Sequence, residues 1–285
     1  MAFDILQQKA ISDYAVFAAH KNLAPITLFS HTFSDLEGRP GESIGVPVYD
    51  FTDCAAFDAS TNNYGSGLNE VGGIQINLDQ HLVKSVAITD KELAYSGIDW
   101  AKDTSSALAE NLTRGVNKYV FGLINSTNVT KSESFDATSK NIIANLVAVA
   151  ESNDIPVDRC IVALNPVQFA KVLGLLDYNT VGTSDYIMTG VVRNIFGFKA
   201  IVKTSNLPDD GKGAIILDEA MGVASKYLAP MTADAYPEAY ALRDDSGFTL
   251  GARRFMDLNK GYDIFAMDCL FGAKLIQPTK VVRLI

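Results

Sequence analysis

The sequence predicts an α+β fold, and three stretches carry that prediction. From Asp99 to about Asn125 apolar residues recur at helical spacing. From Gly45 to Ile88 they alternate at period two, around a turn-rich middle. From Ser139 to about Lys226 short apolar runs alternate with helical patterns, as in a compact α/β unit.

The helical stretch is the longest unbroken pattern in the chain. Leu108, Leu112, Val116 and Val120 recur every four residues beside Ala101, Ala109, Tyr119, Leu123 and Ile124, while Glu110, Asn111, Arg114, Asn117 and Lys118 fill the other side. Asp99 is placed to cap it, Asp103 puts negative charge in the opening turns, and Lys118 lies towards the carboxyl end, all in the sense the helix dipole favours. At 1.5 Å per residue, roughly 25 residues would span about 38 Å, enough for a strut.

Taken in order, residues 1–36 read as an arm: a short helical pattern with Ile5, Leu6, Ile11, Val16 and Phe17, then a more extended Pro25-Ile26-Thr27-Leu28-Phe29. The period-two stretch follows. Val46, Val48 and Phe51 lead out, and Ile74, Ile76, Leu78, Leu82, Val86 and Ile88 return on one parity. Between them lies Ser60-Thr61-Asn62-Asn63-Tyr64-Gly65-Ser66-Gly67, rich in turn formers. This predicts a long β-hairpin, which is marginal in water unless it lies on something else.

After the long helix, Ser126 to Phe135 reads as a polar loop. Ser139 can cap a helix whose apolar side is Ile142, Ile143, Leu146, Val147 and Ala150. Cys160 to Leu164 is a buried strand pattern, and Asn165-Pro166 opens a helix with a cap residue and a first-turn proline. Strands are expected at Phe198 to Val202 and Gly213 to Leu217, and Asp218 is placed to cap a short helix from Met221 to Lys226. From Tyr236 the pattern returns to strands, with a hairpin turn at Asp245-Ser246-Gly247 and a terminal strand at Val281 to Ile285.

Composition narrows the function. With 285 residues, 48% hydrophobic and 20% charged, the chain can bury a large core. No apolar run approaches the roughly 18 residues of a membrane span, and the amino terminus carries no signal or transit pattern, so residence in a cytoplasm is expected. A net charge of -9 and a pI near 4.8 argue against gripping nucleic acid through the overall field. Cys54, Cys160 and Cys269 fit neither a zinc pattern nor a disulfide framework and read as buried thiols.

A search for chemistry yields no catalytic, cofactor or metal site. Gly65-Ser66-Gly67 lacks the third glycine and the preceding strand of a dinucleotide fingerprint, and neither a phosphate loop nor a Gly-x-Ser-x-Gly elbow occurs. His20, His31 and His81 are scattered. Asp209-Asp210 and Asp244-Asp245 read as turn formers, and the three sequons at Asn111, Asn125 and Asn128 as chance matches.

The order of elements, arm, long hairpin, long helix, α/β unit and returning strands, resembles the major capsid protein of tailed bacteriophages, the Hong Kong 97 capsid fold. Local stretches carry the resemblance as well. Gly45-Val46-Pro47-Val48-Tyr49 is similar to the strand entering that family's extended loop, Ala87-Ile88-Thr89-Asp90-Lys91-Glu92 to the link into its spine helix, and Ala163-Leu164-Asn165-Pro166 and Gly190 to Val202 to parts of its axial domain. The resemblance implies an N-terminal arm at 1–36, an extended loop at 37–95, a peripheral domain with its spine helix at 96–138, an axial domain at 139–235 and returning strands of both domains at 236–285.

It also implies a structural subunit, not an enzyme. Copies would assemble as hexamers and pentamers into an icosahedral phage head in the host cytoplasm, enclosing double-stranded DNA without specific binding and touching no membrane. Scaffolding, portal and decoration proteins are the further partners implied. With no long helical leader before the arm, scaffolding is expected from a separate protein or is dispensed with. Some members crosslink a loop lysine to a peripheral asparagine; Lys84, Lys91 and Asn259 are the matching residue types, and no motif pins them. The expected inter-subunit contacts are Pro25, Ile26, Leu28 and Phe29 in the arm, Asn62, Asn63 and Tyr64 at the hairpin tip, and Glu110 and Arg114 on the outer face of the long helix. Two alternatives stand beside this reading: an encapsulin-like compartment shell, and a cytoplasmic α/β enzyme with Ser60 to Gly67 as a lid.

Overall fold

The computed structural model describes residues 2–34, 43–49, 71–89, 92, 100–135, 141–174, 191–195, 197–208, 211–229, 238–243, 246–257 and 261–285. Two six-stranded sheets carry the fold. In the first, β1 (Ser30–Ser34) lies beside β10 (Met221–Lys226), then β13 (Tyr262–Leu275), β12 (Thr249–Asp257) and β11 (Glu238–Arg243), while β4 (Gln80–Thr89) pairs antiparallel along the other side of β13. The second runs β5 (Ser132–Glu133), β14 (Val281–Leu284), β9 (Gly213–Leu217), β6 (Cys160–Leu164), β8 (Phe198–Lys203) and β7 (Val191–Ile195). A separate two-stranded ribbon pairs β2 (Ser43–Tyr49) with β3 (Val71–Asn77), Val46 opposite Ile74.

Among the described residues four helices of at least eight residues complete the layers: α1 (Ala2–Thr27), α2 (Trp100–Gly122), α3 (Ile142–Ser152) and α4 (Pro166–Leu173). The apolar stripe of α2 is where the spacing places it, with Leu108, Leu112, Val116 and Val120 at most 3% exposed. On α1, Ala15, Ala19, Leu23 and Ile26 form the matching stripe, and the two alanines let the helix axes come close. Asn117 Nδ2 donates to the Asn22 carbonyl at 2.8 Å and fixes the register of the pair. The core of the first sheet continues through Phe271, whose ring meets Tyr119 edge-on, centroids 5.4 Å apart.

The α/β unit follows its sequence closely. Every residue of β6 and β9 is buried, as expected of central strands with both faces covered. At the start of α4 the Asn165 side chain accepts from the Gln168 backbone N–H at 2.9 Å, with Pro166 in the first turn. In α3 the buried residues are Ile142, Leu146 and Ala150.

Three expectations are corrected. Pro25, Ile26 and Thr27 are not extended: they form the last turn of α1, which runs 26 residues through Pro25. Burial of Leu23 and Ile26 against α2 outweighs the hydrogen bond the proline cannot donate, and the end is closed locally by Thr27 Oγ1 donating to the Ala24 carbonyl and Ser30 Oγ to that of Ile26. Met221 to Lys226 is not a helix but strand β10, between β1 and β13. Met221 and Val223 face the main core and Ala224 a second, smaller one, so both faces are covered and no helical stripe is needed. Asp218 caps nothing there and pairs with Lys199. Finally, the returning half of the hairpin is two strands. β3 stays with the ribbon and β4 leaves it to join the first sheet, the break falling at Leu78 and Asp79.

The predicted caps Asp99 and Ser139, the residues Asp245 and Cys54, and the hairpin tip lie outside the described residues.

Candidate assembly surfaces

The residues expected at contacts between copies are placed unequally. Phe29 is fully buried and meets Phe121 edge-on at 5.4 Å, and Ile26 is 3% exposed, so both belong to the chain's own core. Pro25 and Leu28 are half-buried, Leu28 against that core. Glu110 and Arg114 are exposed, one turn apart on the side of α2 opposite its apolar stripe. Asn62, Asn63 and Tyr64 lie outside the described residues, as do Lys91 and Asn259. Lys84 is exposed on β4, opposite Met267.

The ribbon rests on the outer face of the first sheet, and the chain gives it a core of its own. Ile76 is fully buried there with Val46, Leu78, Ala224, Leu270 and Ile276, against Phe33, Ile44 and Leu228. Two glycines make the seat possible. A Cβ at Gly222 would stand 2.6 Å from Ile76 Cδ1, and one at Gly272 would collide with the Asn77 carbonyl, so the ribbon's end crosses β13 backbone on backbone. Lys274 Nζ donates to the Gln75 carbonyl at 3.3 Å beside this crossing.

Next to the seat is an ionic cluster. Asp268 on β13, 5% exposed, receives Arg253 from β12 at 3.1 Å and lies 3.2 Å from His81 Nε2 on β4. Arg253 also donates to the Leu228 carbonyl at 2.9 Å and so holds down the segment after β10. Gly251 faces Asp268 directly, because a Cβ there would meet the carboxylate. Burial raises the Tyr227 hydroxyl above its usual range; the Asp268 charge adds to this and Arg253 opposes it. These residues hold strands together. They sit 187 and 15 positions apart from Asp268, and no local motif announces them.

The remaining titratable groups with shifted values are structural as well. Burial pushes the Cys160 thiol up to about 12, and raises Cys269 well above its ordinary value with help from the neighbouring Asp268 charge. Both are free thiols without the electropositive, accessible setting of a nucleophile. Among the described residues no three His, Cys, Asp or Glu side chains converge as a metal would require, and no helix is long and apolar enough to cross a membrane.

The geometry is therefore that of a chain whose distinctive features are surfaces and supports, and comparison with known proteins agrees. No curated protein matches the chain. Among solved structures, a protein of Mycobacterium phage Che8 is 18% identical, with a TM-score of 0.54 over 86% of this chain and 84% of its own. The capsid of cyanophage P-SCSP1u is 15% identical, with a TM-score of 0.60 over 90% and 86%. The virus-like particle from Pyrococcus furiosus is 13% identical, with a TM-score of 0.61 over 97% and 98%. These likenesses establish the fold, a mixed α+β architecture of the Hong Kong 97 capsid type. Residues 73–284 match the family described as phage capsid protein, and the chain belongs to that family, as a structural capsid subunit.

Proposed function

We propose that this chain is the major capsid protein of a tailed phage, assembling as hexamers and pentamers into an icosahedral head in the host cytoplasm and remaining in the virion around double-stranded DNA. The family match over residues 73–284 carries the reading. The surfaces support it: a ribbon with only a small core of its own suits a chain completed by its neighbours, and a net charge of -9 keeps the average field from adhering to enclosed DNA. On this reading the chain catalyses nothing. Its working residues are contacts: Glu110 and Arg114 on the outer face of α2, Pro25 and Leu28 at the end of α1, and Asn62, Asn63 and Tyr64. Scaffolding, portal and decoration proteins would be further partners.

The test is expression of the whole chain, alone and with its neighbouring structural genes, followed by sedimentation and negative-stain microscopy. Closed particles, tubes or sheets are expected. A uniform small oligomer under both conditions would overturn the proposal. Particle contents then separate a DNA-filled head from a shell holding protein cargo.

A further inference from the structure

A cavity of ≈ 450 Å³ opens where β1, the ribbon and the second sheet meet. Its apolar lining includes Phe33, Val46, Leu217 and Ile276, the last three each 8% exposed, and its polar lining includes Arg159 and Glu219, both on the surface. It thus has a greasy floor with Arg159 and Glu219 at the edge, beside His31 and Asp218, the latter already paired with Lys199. No side chain of the chain's own described residues fills it.

The opposite shape stands on α1. Phe17 is 74% exposed, the largest exposure among the large hydrophobic side chains of the described residues, and Tyr14, one turn earlier, is 38% exposed. Phe17 is two residues from Ala15 and from Ala19, about 200° around the helix from the stripe that packs on α2. Asp13, Phe17 and Lys21 follow at i, i+4 and i+8 on one line, and all three are exposed. The line reads acid, aromatic, base.

We propose that the cavity is a socket for Phe17 of a second copy of this chain, with Asp13 and Lys21 meeting Arg159 and Glu219 at its edge. The inference rests on the shell reading above, and three observations select this occupant. An aromatic ring left in water loses the gain of burial, which an apolar floor supplies. The charges match in both signs, which fixes the direction in which α1 lies across the opening. Knob and socket are different patches, so the contact is heterologous and propagates from copy to copy, as a closed ring or shell requires. Val83, Val167, Met256 and Ile285 are also exposed, but they are smaller or unbranched and lack flanking charges of both signs at helical spacing.

The test uses the full chain under conditions where the natural protein assembles. Phe17→Ala changes an exposed side chain, so the circular dichroism and thermal midpoint of the free subunit should not move. Particle yield should fall roughly tenfold or more, as for loss of a hot-spot anchor. Lys21→Glu and Glu219→Lys should each reduce yield and together restore it. Two tagged populations in a Cys54→Ser background, one with Phe17→Cys and one with Gln277→Cys, should form a mixed disulfide when co-assembled and oxidised. Particles from Phe17→Ala at normal yield, or absence of the mixed disulfide in intact particles, would overturn the socket and leave the shell reading standing. Failure of the natural chain to assemble with its partners would overturn the shell reading itself.

Discussion

The Asn77 carbonyl oxygen rests on Gly272 so closely that no other residue fits at that position of β13. This contact, the burial of Ile76 and the Lys274 hydrogen bond to Gln75 determine where the ribbon crosses the sheet. Gly272→Ala places a methyl group against the backbone of Asn77 and Leu78, where nothing flexible can yield, and forced overpacking of this kind costs about 1–3 kcal/mol. The ribbon is expected to lift while both six-stranded sheets persist. Limited proteolysis should then cut within 43–49 or 71–77 faster than in the natural protein, and an unchanged cleavage rate would show that the ribbon is held elsewhere.

Asp268 ties together three strands and the segment after β10. Removing it in Asp268→Ala leaves Arg253, whose side chain is only 20% exposed, without its buried counter-charge. Breaking one partner out of such a pair costs about 3–5 kcal/mol. The urea midpoint should fall accordingly. His81→Gln should cost much less, because the imidazole side of its pair is 44% exposed. Equal losses from the two substitutions would mean that the arginine is not the main partner.

The same contrast between local and distant causes governs how much of the fold can be read from the sequence. The stripe Leu108, Leu112, Val116 and Val120, the cap Asn165-Pro166 and the runs Cys160–Leu164 and Gly213–Leu217 are local patterns, and each was legible. Met221–Lys226 misleads because a strand covered on both faces loses its alternation and resembles a short piece of buried helix. Pro25 misleads because proline argues for a break, while the stripe Ala15, Ala19, Leu23 and Ile26 runs past it and packing decides. The parity of Ile74, Ile76, Leu78 and Leu82 is continuous, so the step from ribbon to sheet at Asp79 leaves no mark. The ribbon seat and the Asp268 cluster join residues far apart in sequence, and only the folded chain brings them together.

Where β4 ends, Thr89 and Glu92 form a reciprocal cap. The Thr89 backbone N–H and hydroxyl donate to Glu92 Oε2 at 3.0 and 2.8 Å, and the Glu92 N–H donates to Thr89 Oγ1 at 3.2 Å. The backbone bond from Thr89 lowers the Glu92 carboxyl from its usual 4.5, and the hydroxyl bond adds to this. A carboxyl lowered in the folded state stabilises above its unfolded value and loses that contribution as pH falls through the folded one. The Thr89 amide should therefore exchange with solvent faster on acidification below about pH 4.5, relative to neighbouring amides corrected for intrinsic rates. Glu92→Gln, which cannot titrate, should abolish the pH dependence. A step that persists in the variant would assign it to another group.

Cys160 makes the opposite case at the alkaline end. Its thiol is fully buried in β6 and its value stands at about 12, raised by burial against a smaller lowering by the Ile216 backbone. An unfolded thiol ionises near pH 8.5, so the contribution of this group is complete below that pH and is lost as pH rises from there towards 12. In that window one such group tilts stability by about 1.4 kcal/mol per pH unit. Cys160→Ala is expected to lower stability at pH 7 through the missing sulfur and also to flatten the decline between pH 9 and 11, which urea titrations at several pH values separate. In the natural protein neither Cys160 nor Cys269 should react with a thiol reagent at pH 8 until the chain unfolds. Rapid labelling of Cys160 in the native state would show that the second sheet opens around β6, and the alkaline slope would then measure that opening instead of the buried thiol.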